Sequence, residues 1–333
     1  MFDAAAPTIG RAQMEHVSVV IVNWNAGEAL HACLGALFAS EGGKSHQVIL
    51  VDNASTDGSQ TIPASAYPAL EVIQNTKNLG FARAVNQGLR AARGQLVVVL
   101  NPDVILWPSA VSRLLQFMAT HPEAGVAGPR LLDPDGTVQG SARRDPSAWT
   151  ALFGRSAPLT HLFPNNPVSQ RELPALSVEG HAPIEVDWLS GACLVARRTA
   201  WEQVGLLDER FFLFWEDADW CLRFRQAGWG VYYVPAACGV HFVGVSRAGR
   251  RLGSILDFHV SAYRYYRKHR LPSTVHPLTM LVGTGLLVSL TLRSVQALWP
   301  RRRQGSAGRG NSPGAALDGR LPDEGSLGGV KRG

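Results

Sequence analysis

Three short runs of β-branched and aliphatic residues recur with helix-forming stretches between them, and that alternation constrains the fold more than anything else in the chain. Val17-Ser-Val-Val-Ile-Val-Asn23, Gln47-Val-Ile-Leu-Val-Asp52 and Gln95-Leu-Val-Val-Val-Leu100 are near-continuous apolar runs. Such runs fit strands buried on both faces, as in a parallel sheet. Between them, Gly27 to Phe38 carries Leu30, Cys33, Leu34, Leu37 and Phe38 at helical spacing, and a second helix is expected over about Phe81 to Ala92. Leu70 to Gln74 reads as a shorter third strand. The expected fold class is therefore α/β: a Rossmann-like, doubly wound, mostly parallel sheet flanked by helices, whose ligands bind beyond the carboxyl ends of the strands.

Beyond Ala142 the pattern gives way to a Pro-rich stretch reaching about Pro183, including Phe163-Pro-Asn-Asn-Pro167, which reads as a surface excursion shaping a site. Order is expected again from Ile184, with a helix over about Asp217 to Ala227 ended by Gly228 and a strand over Trp229 to Val234. The 333-residue chain thus divides into a leader (1–16), a body (17–270, halves 17–141 and 142–270), an apolar segment (271–299) and a Gly-rich basic tail (300–333) expected to be disordered. Four dispersed cysteines, Cys33, Cys193, Cys221 and Cys238, offer neither a disulfide framework nor a zinc spacing. Met1 to Glu15 lacks the ~7–15-residue apolar run of a secretory signal. A cytoplasmic location is the expectation.

Charge is unevenly placed. Residues 1–243 sum to −5, 244–270 to +6, 271–299 to +1 and 300–333 to +4. A polybasic stretch beside an apolar one points to an anionic membrane surface, and no zinc-finger, basic-zipper or RNP-type motif supports nucleic acid as a partner. Leu271 to Leu292 holds no Asp, Glu, Lys or Arg but is interrupted by Pro272, Pro277, Gly283 and Gly285. A spanning helix needs ~20 predominantly apolar residues, so peripheral or re-entrant attachment is expected, with packing on the body as the alternative.

The chemistry-bearing residues cluster just after the strands. Asp52-Asn-Ala-Ser-Thr-Asp57 follows the second, and Asn101-Pro-Asp103 follows the fourth, an Asn-x-Asp pair offering hard oxygen ligands for Mg²⁺ or Mn²⁺ on a diphosphate. Asn78-Leu-Gly80-Phe-Ala-Arg83 opens a helix whose N-terminus and Arg83 suit an anionic phosphate. Trp215-Glu216-Asp217-Ala-Asp219 places three carboxylates amid aromatics at a helix start, where apolar surroundings raise a carboxyl pKa toward general-base duty. Each cluster taken singly is also ordinary turn or helix-cap chemistry. Gly42-Gly-Lys-Ser45 lacks the earlier glycine of a P-loop, and Gly244-Val-Ser-Arg-Ala248 lacks the last glycine of a nucleophile elbow.

Taken in order, Val-Ile-Val-Asn-Trp-Asn25, Val-Asp-Asn-Ala-Ser-Thr-Asp57, Asn78 to Asn86, Leu-Asn-Pro-Asp103, Ser190-Gly-Ala, Trp-Glu-Asp-Ala-Asp219 and His241 resemble the inverting family 2 glycosyltransferases of GT-A fold, in particular their bacterial rhamnosyltransferase-like branch. The resemblance spans about Val17 to Arg247. It implies that Asp52 contacts the nucleobase beside Asn23 and Asn25, and that Asn78, Gly80 and Arg83 line the donor diphosphate. Asp103 matches the last acid of the metal-binding Asp-x-Asp motif, with Asn101 in place of its first acid, and His241 falls where a third ligand to a divalent metal is placed. Glu216 and Asp217 match the acidic pair whose second member is the base, and Trp188, Ser190 and Gly191 match the acceptor-side segment. The implied reaction is single-displacement sugar transfer from a nucleotide-sugar donor, with dTDP-L-rhamnose the first choice, to a lipid-linked or cell-envelope glycan. A sugar-nucleotide nucleotidyltransferase and a catalytically silent nucleotide-sugar-binding protein are the alternatives.

Overall fold

A computed structural model describes residues 17–61, 66, 67, 69–145, 175, 180–244, 250–271 and 276–298. The leader, most of the Pro-rich excursion, Arg247 and the basic tail lie outside the described residues. The three apolar runs form β1 (Val17–Asn23), β2 (Gln47–Asp52) and β4 (Leu96–Leu100), with β3 (Leu70–Gln74) at the sheet edge. These four pair in parallel in the order β3-β2-β1-β4, with β1, β2 and β4 buried on both faces and β3 partly exposed at the edge. Helices α1 (Glu28–Ala39) and α2 (Phe81–Ala91) cover opposite faces, contributing Leu30, Leu34 and Leu37 to one core and Val85 and Leu89 to the other. Helix α2 lies so close to β1 that a Cβ at Gly88 would come within 2.2 Å of Val20. Only glycine allows that approach.

Past β4 the sheet becomes mixed. Residues Val104–Leu106 (β5), Ala124–Leu132 (β6), Cys193–Arg197 (β10) and Gly230–His241 (β11) extend the order to β4-β10-β6-β11-β5, with the short β8 (Ile184–Glu185) also pairing β11. Strand β10 is antiparallel to both its neighbours, β4 and β6, and β5 is antiparallel to β11. A separate two-stranded ribbon joins β7 (Ala142–Arg143) to β9 (Trp188–Leu189). Helices α3 (Ala110–Thr120), α4 (Arg198–Val204) and α5 (Glu216–Gln226) complete the body.

Two C-terminal helices, α6 (Arg251–His269) and α7 (Pro277–Leu298), form a hairpin. Their inner faces pack Ala262, Tyr265, Tyr266, Val282 and Leu286 against Ala218 and Leu222 of α5. The apolar segment therefore packs on the body through one face. No helix among the described residues is long and apolar enough to cross a membrane.

The basic residues of 244–270 are held in part by the protein itself. Their sequence position marked them for lipid headgroups, yet three of the seven Lys and Arg, namely Arg250, Lys268 and Arg270, are engaged by carboxylates of the body or of their own helix. Lys268 bridges Asp208 (2.8 Å) and Asp219 (2.6 Å), His269 meets Asp219 at 2.6 Å, and Arg250 meets Asp257 at 2.6 Å. Arg270 pairs with Asp145, which also accepts a hydrogen bond from Tyr265, and Arg264 donates to the carbonyl of Arg210. These cations dock α6 onto the catalytic body.

Asp219 is fully buried and also bonded to Arg223 at 2.9 Å. Burial opposes its ionisation, but His269, Arg223 and Lys268 outweigh that and hold its carboxyl below the ordinary range. A depressed carboxyl contributes stability present above the unfolded value of ~3.9 and lost as pH falls through the folded value. Asp219→Ala removes the buried carboxylate shared by Arg223, Lys268 and His269, and breaking a buried pair typically costs ~3–5 kcal/mol, with Lys268 keeping Asp208 and Arg223 its backbone carbonyls. The expected outcome is a fall in Tm at neutral pH that narrows below about pH 4, read by calorimetry across pH.

Candidate active site

At the carboxyl ends of β1 and β2 the loops interlock through polar side chains. Asn23 pairs in register with Asp52, and its Nδ2 donates to Asp52 Oδ1 at 2.8 Å and Ser59 Oγ at 2.9 Å. Asp52 also accepts from the Ser55 amide (3.1 Å) and from the Gln74 side chain. Both residues are buried and their bonds are inward. The resemblance puts Asp52 at the nucleobase; here its Oδ1 accepts from Asn23 and its Oδ2 from the Ser55 amide and Gln74, bonds that also order the loop. Asn25, half-buried at φ 51°, accepts from the Thr56 amide at 2.7 Å and donates its own amide to Ser55 Oγ at 3.0 Å.

The phosphate-side loop is equally fixed. Asn78 Oδ1 accepts from the Gly80 amide and from Asn53 Nδ2, both at 2.9 Å. Gly80 takes φ 87°, and a Cβ there would stand 2.6 Å from the Phe212 carbonyl, which accepts the Phe81 amide at 2.7 Å. Arg83, expected to be available to the diphosphate, is half-exposed and bonded through Nε to Glu209 at 2.9 Å. Sequence reasoning missed Glu209. Its only signal was position, in the charged triplet Asp208-Glu209-Arg210 ahead of the aromatic run leading to Glu216.

Asp103 and His241 are brought together by the β5–β11 pairing, which sets His241 opposite Val104. His241 Nε2 lies 3.3 Å from Asp103 Oδ1, an oxygen that is buried without a hydrogen bond. Gln139 fixes the ring: its Nε2 donates to Asp133 and to the His241 carbonyl, leaving Oε1 to accept from Nδ1 at 3.0 Å. On a neutral ring this places the Nε2 lone pair against a carboxylate lone pair. Two acceptors so apposed need a cation or a proton between them, and the ring orientation matches that of a metal-ligating histidine with its outer nitrogen hydrogen-bonded. No cluster of three or more His, Cys, Asp or Glu occurs among the described residues, so other ligands would come from diphosphate, water or a neutral side chain. Asn101 begins the same turn, its amide donating to the Ala192 carbonyl at 2.8 Å.

The three carboxylates of the fourth cluster are sorted by their surroundings. Asp219 is locked in the ion-pair cluster described above. Glu216, grouped with Asp217 as catalytic, points inward: it is 4% exposed, one oxygen has no partner, and burial with Asp217's charge pushes its pKa well up. Asp217 is only half-buried. Its Oδ2 accepts the Gly191 amide and its Oδ1 the Ala218 amide, each at 2.8 Å. Burial raises its pKa, partly offset by those two N–H groups and by the charge of Arg143. Trp188, across from Arg143 on the β7–β9 ribbon, stacks on Trp215 and lies under the Arg143 guanidinium at 4.9 Å. Ser190 connects this ribbon to Gly191, its amide bonded to the Ser141 carbonyl at 2.8 Å.

A mixed sheet flanked by helices, with an acid–imidazole pair and a partly exposed carboxylate on the loops after its strands, fits the GT-A architecture of glycosyltransferases. The family model for glycosyl transferase family 2 matches residues 18–173. The N-acetylglucosaminyl-diphospho-decaprenol L-rhamnosyltransferase of Mycobacterium tuberculosis is 36% identical over 260 residues, 74% of this chain and 82% of that protein. The dTDP-rhamnosyl transferase RfbF of Shigella flexneri is 24% identical over 57% of this chain and 58% of its own length. Among solved structures, the chain resembles GalNAc-T7 with UDP, GalNAc and Mn²⁺ (TM-score 0.54, 15% identity, 86% of this chain and 58% of that one). It also resembles the mannosyltransferase PcManGT from Pyrobaculum calidifontis with GDP-Man and Mn²⁺ (TM-score 0.51, 17% identity, 91% and 78%). The chain belongs to glycosyl transferase family 2, and it is a glycosyltransferase.

The apposed pair generates a direct expectation. Asp103→Ala and His241→Ala each weaken Mn²⁺-dependent binding of dTDP at least tenfold, measured by isothermal titration, whereas Asn101→Ala is milder because a neutral amide oxygen is the poorer ligand. Undiminished Mn²⁺-dependent binding in both variants would remove the pair as the metal site.

Proposed function

We propose that the enzyme transfers a sugar from a nucleotide-sugar donor, dTDP-L-rhamnose in first place, to a hydroxyl of a lipid-linked or cell-envelope glycan, inverting the anomeric centre. The mycobacterial and Shigella relatives, both rhamnosyltransferases, support the rhamnosyl donor, and the former supports a polyprenyl-diphosphate-linked acceptor. The observation that carries the mechanism is the state of Asp217: half-open, oriented by the Gly191 amide at 2.8 Å, and with its basicity raised by burial.

Asp217 takes the proton of the acceptor hydroxyl as that oxygen attacks the donor's anomeric carbon, and the carbon–oxygen bond to the diphosphate breaks with its electrons leaving on phosphate. One displacement needs no covalent sugar–enzyme intermediate, so a second catalytic carboxylate is unnecessary. Glu216, enclosed and with its pKa raised by burial and by the charge of Asp217, supports the helix start instead of meeting the acceptor. Asp103 and His241 would hold a divalent cation, Mg²⁺ or Mn²⁺, which when bound supplies charge neutralisation to the leaving diphosphate. Arg83 adds a fixed positive charge on the same side, and Asn25, Asn78 and Gly80 shape the loops around the nucleotide.

The proposal extends to peripheral attachment at the cytoplasmic face. Its main support is an apolar surface on the hairpin, because Lys268 and Arg270 are held in ion pairs with the body. Leu252, Leu256 and Val260 lie a turn apart on α6, and Leu281, Val288 and Leu292 share a face of α7; all six are 38–50% exposed. Arg301 to Arg303 follow directly in sequence. An amphipathic surface of this kind beside cations fits the interface of an anionic bilayer.

Two experiments test this reading. Asp217→Asn abolishes transfer, a loss of ~10²–10⁴-fold for a general base, while donor binding stays within about twofold. Because the working form is ionised, kcat/KM of the native enzyme falls as pH drops through the raised Asp217 value, so the acid limb lies above the ~3.9 of an ordinary aspartate. A variant retaining more than a tenth of the rate would remove Asp217 as the base. Separately, the native protein floats with vesicles containing phosphatidylglycerol at low salt, and a variant charged on the outer face of α7, Val288→Glu with Leu292→Glu, does not; a native protein that stays with the unbound fraction would end the membrane proposal.

A further inference from the structure

Helix α2 turns three polar side chains toward one carboxylate. Arg83, Asn86 and Arg90 are spaced i, i+3, i+7, one helical face, and all three reach Glu209: Arg83 Nε at 2.9 Å, Asn86 Nδ2 at 3.1 Å and Arg90 Nη2 at 3.2 Å. Glu209 belongs to the loop 205–215 that delivers the helix bearing Asp217. The same loop is bound to α2 at two further points. Asn86 clamps the backbone of Leu207, accepting its amide at 3.0 Å and donating to its carbonyl at 2.9 Å, and Phe212 accepts the Phe81 amide. At its end Phe214 and Trp215 take φ 68° and 69°, left-handed conformations that bulky residues adopt only when their surroundings impose them.

We infer that Glu209 is the positioning residue of the donor site, holding Arg83 by its Nε so that the outer guanidinium nitrogens are presented to the donor diphosphate, and tying that arm to the loop that carries the base. This rests on the proposed role of Arg83. A carboxylate on Nε restricts a long, rotamer-rich side chain before the ligand arrives, which lowers the ordering cost at binding, while the guanidinium fork keeps donors for a second anion. The Asn86 hydrogen bond, with those of Arg90 and Arg83, holds the Glu209 carboxyl below the ordinary glutamate range, so the residue stays anionic at neutral pH. Both Arg90 and Glu209 are partly solvent-exposed, so the pairs serve geometry more than stability.

A double-mutant cycle on the full chain tests this, using dTDP binding by isothermal titration and donor KM and kcat in the transfer assay. Glu209→Ala is expected to weaken dTDP binding and raise donor KM about tenfold with kcat changed less than threefold. In an Arg83→Ala background the same substitution is expected to leave dTDP binding within twofold, because there is no arm left to position. Equal losses from Glu209→Ala in both backgrounds would mean a merely structural role and overturn the inference, as would unchanged or tighter dTDP binding in the single variant. Thermal unfolding of each variant separates a folding defect from a binding one. If Arg83→Ala alone leaves dTDP binding intact, the diphosphate role of Arg83 fails first and the inference falls with it; if Arg83→Ala weakens binding and the cycle is additive, only the Glu209 inference fails.

Discussion

Strand β10 runs antiparallel between β4 and β6, and the two halves of the active site meet because of that reversal. Entering from the Ser190-Gly191 turn, it begins opposite the end of β4, where Cys193 pairs with Leu100 and the Asn101 amide bonds to Ala192. The turn holding Asp103 and the turn holding Gly191 are therefore adjacent, although about ninety residues separate them in sequence. A parallel strand at this position would carry its following loop, not its preceding one, to the site. The Gly191 amide then reaches Asp217, so the backbone that closes the sheet also orients the carboxylate proposed as the base.

Much of the donor half was legible in the sequence, because strands buried on both faces betray themselves as Val- and Ile-rich runs and their ends must carry the ligands. The second half was harder to read. Strand β6 is Ala-Gly-Val-Ala-Gly-Pro-Arg-Leu-Leu, with small residues where a neighbouring chain approaches, and a Cβ at Gly125 would stand 2.7 Å from Trp229. No periodicity marks such a strand. Strand β11 is apparent for its first half alone, because Pro235-Ala-Ala interrupts the apolar run at a shift in its pairing with β6. The acids of Glu216-Asp217-Ala-Asp219 are indistinguishable by type, and only burial and partners separate the ion-paired Asp219 from the enclosed Glu216 and the partly exposed Asp217, the proposed base.

Charge was the least readable property. A run of Lys and Arg in sequence does not disclose whether its carboxylate partners lie a hundred residues away, as Asp145 does from Arg270. Those pairs, with the aromatic contacts of Trp215 to Phe258, Tyr265 and Tyr266, make the C-terminal hairpin a buttress for the strained entry of α5. Two left-handed residues cost of order 1–3 kcal/mol each, and the packing around Trp215 is what holds them. The hairpin's inner face packs on Trp215 and on α5, which carries the proposed base, and its outer face exposes Leu and Val side chains, so one element would join the proposed chemistry to the proposed surface.

The central claim is that Asp103 and His241 mark the donor diphosphate and Asp217 the acceptor side of a single cleft. Anomalous scattering from crystals grown with dTDP and Mn²⁺ addresses it directly. The account predicts one manganese peak within coordination distance of Asp103 and His241 Nε2, with the diphosphate between it and Arg83 and Asp217 facing the open end of the cleft. Manganese bound elsewhere, or a diphosphate seated away from Arg83 with the Asp103–His241 pair untouched, would contradict it.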